Sequence, residues 1–334
     1  MAFTPTSRIH IGGSEWSGVH EVHITHSMHS IVNTCTIKLP TKARLRLAGA
    51  SMATMAEIGV DNVQLNNVIK VGMAVKVMLG YDKKLKVEFE GFVKRLNYTT
   101  PCEVECEGYV YQLRQKTVHK SWKNTTLKEL LHEATKGTDI VLHAAIPEMP
   151  LGRVVMDSQT GDQVLEWLKK EYKITVLFEG KTLYAGLAYG YNNSVTVAYK
   201  LGWNVSKDDD LKLREADETK VHVSVIHIDN TGKKTIAKAG EAGGAERTVY
   251  VSETQDAGTL KQLAERKLHE TNYQGYEGSI ATMLVPYATV GMVAAITDAR
   301  YPERGGSYMI EAVETTYGTS GAKRKIQIGP KVNS

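Results

Sequence analysis

Cysteine is scarce in this chain: Cys35, Cys102 and Cys106 are the three among 334 residues. An odd, small set excludes a disulfide framework. No apolar run approaches the ~20 residues a helix needs to cross a bilayer. Met1 to Arg8 has neither the basic region nor the apolar run of a signal peptide. These absences set the expectation of a chain made and folded in a reducing cytoplasm, with no membrane binding of its own. An excess of one charge is also missing, since 41 basic residues face 37 acidic ones. The basic runs Lys83-Lys84, Lys169-Lys170, Lys233-Lys234 and Lys323-Arg324-Lys325 are dispersed. A dedicated nucleic-acid binder concentrates such residues in a stripe, so these runs read as solvated turns and helix ends.

Familiar chemistry is missing as well. There is no Gly-x-Ser-x-Gly elbow, no phosphate-binding Gly-x-x-x-x-Gly-Lys loop and no His-Glu-x-x-His. His20, His23, His26 and His29 recur every third residue, which on a helix would gather metal ligands. Val22, Ile24 and Thr25 between them indicate a strand, which sends successive residues to opposite faces. The spacing then separates His20 and His26 from His23 and His29, short of the three or four converging ligands a transition metal needs. Cys102 and Cys106 share a strand face without a second zinc-type pair and read as buried small residues. Asp208-Asp209-Asp210 lacks the glycine and spaced oxygens of a calcium loop and reads as an exposed turn. Trp16, Trp122, Trp167 and Trp203 are scattered rather than clustered. No catalytic, cofactor-binding or metal-binding residue is nominated.

What is present is strand pattern. Val22, Ile24 and Met28, then Ile31, Cys35, Ile37 and Leu39, alternate with polar residues as half-buried antiparallel strands do. Residues 41–68 break this pattern and read as a long insertion or short helix, with Arg44, Arg46, Met52 and Met55 as a candidate assembly loop. In the middle third, Thr126-Leu127-Lys128-Glu129 is a capping box opening a helix that Gly137 stops. Thr160-Gly161-Asp162-Gln163 is a weaker box before a second helix. Strands at 174–178 and 183–185 complete a small α+β segment. Strand pattern resumes at Val195, and an amphipathic helix occupies about 257–272.

The strongest internal signal is a repeat. Val71-Gly72-Met73-Ala74-Val75-Lys76-Val77 precedes a charged turn and Phe89-Glu90-Gly91-Phe92-Val93. Val290-Gly291-Met292-Val293-Ala294-Ala295-Ile296 precedes another charged turn and Tyr308-Met309-Ile310-Glu311-Ala312-Val313. Aligning Gly72 with Gly291 and Val93 with Val313 makes the copies differ by one residue. Val71, Met73, Val75 and Val77 fall on one face, as do Val290, Met292, Ala294 and Ile296. Val87 and Phe89 alternate with Lys86, Glu88 and Glu90, which places Glu88 outward. The expected architecture is mainly β with α+β: two similar β-barrel modules separated by a small α+β domain. Its boundaries are 1–100 (with the 41–68 insertion), 101–192, and 193–334 with a helix interrupting near 257–272. The repeat signature is Gly72, Met73, Gly91, Val93, Gly291, Met292, Tyr308 and Val313.

These segments, with Gly80-Tyr81-Asp82, Cys106-Glu107-Gly108-Tyr109, the Thr126 to Leu131 helix and Lys325-Ile326-Gln327-Ile328-Gly329, resemble in colinear order the phage tail baseplate hub proteins of the late control protein D type. That family is related to the hub portion of type VI secretion spike proteins. The resemblance implies a non-enzymatic homotrimer whose two barrels per subunit form a pseudo-sixfold ring. A hexameric tail tube would dock on one face and a trimeric central spike on the other. Tape-measure and baseplate wedge proteins are further implied partners, and the channel would pass DNA or effector without reading sequence. It implies a virion tail or injection-particle baseplate, assembled in the bacterial cytoplasm. Residues 41–68 exceed a minimal hub's loop, and the chain stops at Ser334, so a spike is expected as a separate polypeptide. Two other classes stay in view: a tail-associated cell-wall hydrolase, which would release peptidoglycan fragments, and a carbohydrate-binding adhesin, which would display exposed aromatics.

Overall fold

The computed structural model describes residues 4–40, 42–47, 56–59, 68–172, 174–186, 195–207, 210–214, 221–228, 234–241, 243, 245–251, 256–271, 275–302 and 305–332. Period-two alternation builds the first module. Its strands are β1 (Pro5–Ile11), β2 (Ser14–Ser17), β3 (Glu21–Ser27), β4 (Thr34–Leu39), β5 (Lys42–Leu47), β6 (Ala56–Gly59), β7 (Ala74–Tyr81), β8 (Lys84–Asn97) and β9 (Cys102–Glu107). They pair in the order β3-β4-β9-β8-β7-β1-β2-β5-β6. Ile9, Ile11, Trp16, Val22, Ile24, Ile37, Val77, Phe89 and Val104 turn inward into one core. Burial of such side chains is worth about 1.5–3 kcal/mol each. β9 lies past the boundary expected at residue 100, yet pairs with β4 and β8. Within 41–68, residues 42–47 and 56–59 are strands rather than loop: β5 pairs with β2 on one side and with β6 on the other. Lys-Ala-Arg-Leu-Arg-Leu over 42–47 alternates with period two, the signal the sequence reading passed over.

The middle segment holds α1 (Val110–Arg114), β10 (Thr117–Thr126), α2 (Leu127–Thr135), β11 (Val141–Leu142), β12 (Pro150–Thr160), α3 (Gly161–Tyr172), β13 (Thr175–Glu179) and β14 (Thr182–Gly186). The capping box forms as read. Glu129 N–H donates to Thr126 Oγ1 at 3.3 Å, and Thr126 N–H donates to Glu129 Oε2 at 3.0 Å. Helix α2 then buries Leu127, Leu130, Leu131 and Ala134. Of the weaker box one half forms, Thr160 N–H donating to Gln163 Oε1 at 2.9 Å, while the Thr160 hydroxyl donates to Asp162 Oδ1.

The last segment contains β15 (Thr196–Lys200), β16 (Val205–Lys207), β17 (Lys212–Arg214), β18 (Val221–Ile228), β19 (Lys234–Gly240), β20 (Ala245–Val251), α4 (Ala257–Thr271), β21 (Gly275–Thr282), β22 (Val293–Thr297), β23 (Gly306–Gly318) and β24 (Gly321–Lys331). Helix α4 packs on its own three-stranded sheet, β19-β18-β20, around Val223, Val225, Leu260, Leu263 and Ala264. The remaining strands order as β16-β21-β24-β23, with β22 and then β15 alongside β23 and β17 alongside β21. Their core is continuous with that of the middle segment.

Candidate functional site: two matched strand rows and their seam

The repeat is real at the level of backbone bonds. Gly72 has φ +86° and Gly291 φ +84°, a left-handed conformation that glycine adopts without a Cβ penalty. Gly72 N–H donates to Val93 C=O (2.8 Å) and Val93 N–H to Met73 C=O (2.9 Å). In the second module Gly291 N–H donates to Ile310 C=O (2.9 Å) and Ile310 N–H to Met292 C=O (2.8 Å). Met73 N–H closes onto Lys70 C=O as Met292 N–H closes onto Thr289 C=O. Val93 therefore corresponds to Ile310, not to Val313, and Gly91 corresponds to Tyr308. The misalignment has a physical cause. A bulge between Ile310 and Ala312 resets the alternation, so Ile310 and Val313 are both buried although three apart. The same bulge falls between Val93 and Arg95. Beyond it Leu96 pairs with Val104 as Val313 pairs with Ile326. Val71 leaves the expected face: it sits in the turn and is exposed.

The two modules are joined edge to edge. The first half of β23 pairs with β22, and beyond the bulge Ala312 to Gly318 pair with Ser27 to Glu21 of β3. Behind this seam lies a buried ion pair. Glu88 is the extra residue of a bulge in which Val77 faces Phe89 and Met78 faces Val87. A bulge re-aims a side chain, so Glu88 turns inward, against the outward placement read from alternation, and Val87 turns toward solvent. Arg324 of β24 donates to Glu88 Oε1 at 2.5 Å and to the carbonyls of Leu284 (2.5 Å) and Pro286 (2.9 Å). Its guanidinium also lies over the Tyr287 ring, 5.1 Å from the centroid. Burial raises the Glu88 carboxyl above its ordinary value, with Arg324 and Thr315 pulling it back. Burial likewise lifts the Tyr287 phenol to about 12. His26 bonds through Nε2 to the Glu88 carbonyl at 2.9 Å, and burial holds it below 6.5, Arg324's charge adding to the effect. Tyr81 donates to Ala322 C=O at 3.0 Å, a further tie across the modules. Arg324 to Glu88 and Tyr81 to Ala322 are the side-chain bonds here that tie one module to the other.

The histidines go to separate partners: His26 to the seam, His23 toward Glu314 (3.6 Å) and His29 toward Glu311 (3.1 Å). Among the described residues no His, Cys, Asp and Glu side chains cluster as a metal site. All three cysteines are buried, Cys35 opposite Cys106, and burial raises both thiols. Asp210 is exposed and reaches Ser279 (3.0 Å), while Asp208 and Asp209 lie outside the described residues. Arg44 and Arg46 sit on β5 opposite Ser17 and Glu15. Met52 and Met55 lie outside the described residues. Trp16 is buried and Trp122 and Trp167 pack against the core, whereas Trp203 is exposed on the turn after β15. Sequence reasoning missed Glu88 and Arg324. A carboxylate and a guanidinium 236 residues apart on strands leave no local signal.

No protein-family model and no curated protein matches the sequence. Solved structures match in shape. The 43 kDa tail protein of prophage MuSo2 from Shewanella oneidensis is 14% identical, covers 98% of both chains and superposes with a TM-score of 0.64. A tail protein from Neisseria meningitidis MC58 is 12% identical over 98% of this chain and 96% of that one, with a TM-score of 0.67. The chain shares its fold with phage tail proteins. An E. coli type VI secretion system component, itself described as similar to T4 bacteriophage tail proteins, is 9% identical over 97% of this chain and 77% of that one, with a TM-score of 0.58.

Proposed function

We propose that this chain is a structural hub of a phage tail baseplate or related injection system, acting without catalysis. Three copies form a ring in which two matched modules per chain offer six near-equivalent surfaces. A hexameric tail tube docks on one face of that ring and a separate trimeric spike on the other. Tape-measure and baseplate wedge proteins are its further neighbours, and its working place is the virion tail or injection-particle baseplate.

The observation that carries this reading is the duplicated Gly-led turn, with the same three backbone bonds and the same bulge in both modules. A symmetry adaptor needs such near-identity between modules, because a sixfold partner must meet six similar surfaces while the chain count stays at three. The tail-protein fold supports the same reading. The experiment is sedimentation of the purified chain, alone and mixed with its cognate tail tube protein. The expected result is a particle with the mass of three chains that co-sediments with the tube protein. A monomer at micromolar concentration that ignores the tube protein would remove the proposal. Release of fragments from peptidoglycan would move the function to a cell-wall hydrolase instead.

A further inference from the structure

The strand row of each module has one order. In the second module it runs β17-β21-β24-β23, with β16 and β17 lying in turn along the same side of β21. In the first it runs β3-β4-β9-β8. The rows follow each other in one ladder, joined where β23 meets β3. Position by position, β3 corresponds to β16 and β17, β4 to β21, β9 to β24 and β8 to β23. The ladder therefore ends in a β17 edge and a β8 edge, which are the counterparts of the two edges already joined inside the chain. Those ends lie seven strand spacings apart, on the order of 33 Å along the ladder. Among the described residues, β8 beyond its bulge pairs only with β9, and β17 pairs only with β21.

We propose that β8 of one chain pairs antiparallel with β17 of a second copy, repeating between chains the β23–β3 seam inside each chain. This rests on the hub reading and names the contact that closes its ring. The internal seam supplies the register. Val313 faces His26 and Thr315 faces Ile24. Leu96 and Tyr98 stand at the places of Val313 and Thr315, since both strands share the bulge and the pairing that follows it. On the other edge, Cys35 opposite Cys106 corresponds to Gly278 opposite Ile328. Ile24 pairs with Cys35 and Thr25 with Thr34, so the next step puts His26 across from Asn33, the counterpart of Tyr276. Leu213 pairs with Tyr276, and Leu211 lies two places earlier. The transferred register sets Leu96 against Leu213 and Tyr98 against Leu211.

Exposure supports this assignment. Val313, Thr315 and Ile24 are buried in the internal seam, whereas Leu213 on β17 is 46% exposed. An exposed apolar side chain on a strand edge that meets no further strand among the described residues invites pairing with another chain. Closing three such rows on one another leaves no row end open, which a head-to-tail contact achieves only when its rotation closes.

The test is a chain carrying Leu96→Cys and Leu213→Cys together, oxidised mildly and run without reductant. The native cysteines are all buried and do not compete. Covalent species up to three chains are expected, with none from either single variant. Three-chain particles that fail to cross-link would overturn this edge assignment and leave the hub reading standing. A double variant and a wild type that are both monomeric would overturn both. As a second arm, Leu213→Asp is expected to weaken assembly about tenfold or more with an unchanged circular dichroism spectrum. Assembly untouched by that charge would also overturn the assignment.

Discussion

The two β modules share their front and differ at their back. Each has a glycine turn at φ near +85°, a bulge one residue past the return bond, and a four-strand row in one order. Behind that row they part. β7 is flanked by β1 running antiparallel, whereas β22 is flanked by β15 running parallel. The first module's core takes in only Leu284 and Ala322 from the second module, whereas the second module shares a core with the middle segment. The lesson concerns where duplication is held constant. The turn and bulge set the direction in which a row leaves its module, and a small error there would be carried along every later strand. The back needs only apolar burial, which many arrangements supply.

The comparison can be broken most forcefully at the seam. Arg324→Met leaves Glu88 buried without its cation, and removal of one partner of a buried pair costs about 3–5 kcal/mol. Denaturant unfolding should show that loss, and Glu88→Gln combined with Arg324→Met should recover most of it. A loss under about 1 kcal/mol would mean that the pair contributes little to the joint. A gentler test compares Gly72→Ala with Gly291→Ala. Each forces a Cβ into left-handed backbone at about 1–2 kcal/mol, so the two variants should fall together in thermal melts. One harmless and one damaging substitution would show that the turns are not equivalent. The smallest effect concerns pH. His26 is held below 6.5 in the folded chain, so the unfolded chain takes the proton first as pH falls. Stability is then lost on acidification from about 6.5 down to the folded value, where the loss levels off. His26→Gln should flatten that part of the profile relative to wild type, as read by unfolding midpoints from pH 7.5 downward.

Much of this was legible in residues whose signal is local. The capping box at Thr126, the strand alternation from Val22 to Leu39, and both glycine turns are short patterns that tertiary packing then ratified. The fold class followed from them. Two kinds of feature were not legible. Bulges at Glu88, Lys94 and Glu311 reset the period-two count, which turned Glu88 inward and made Val313 pass for the partner of Val93. Partners far apart in sequence, such as Glu88 and Arg324 or β3 and β23, are chosen by topology and leave no trace in any window of residues. The seam could be seen only once the strands were in register.

The claim at the centre is that two matched modules per chain turn threefold symmetry into near-sixfold symmetry. Class-averaged electron micrographs of the purified assembly, viewed down its axis, test this most directly. A closed ring of three chains with six similar lobes around a channel is the expected image. A ring with three lobes, or single particles with no ring, would contradict it.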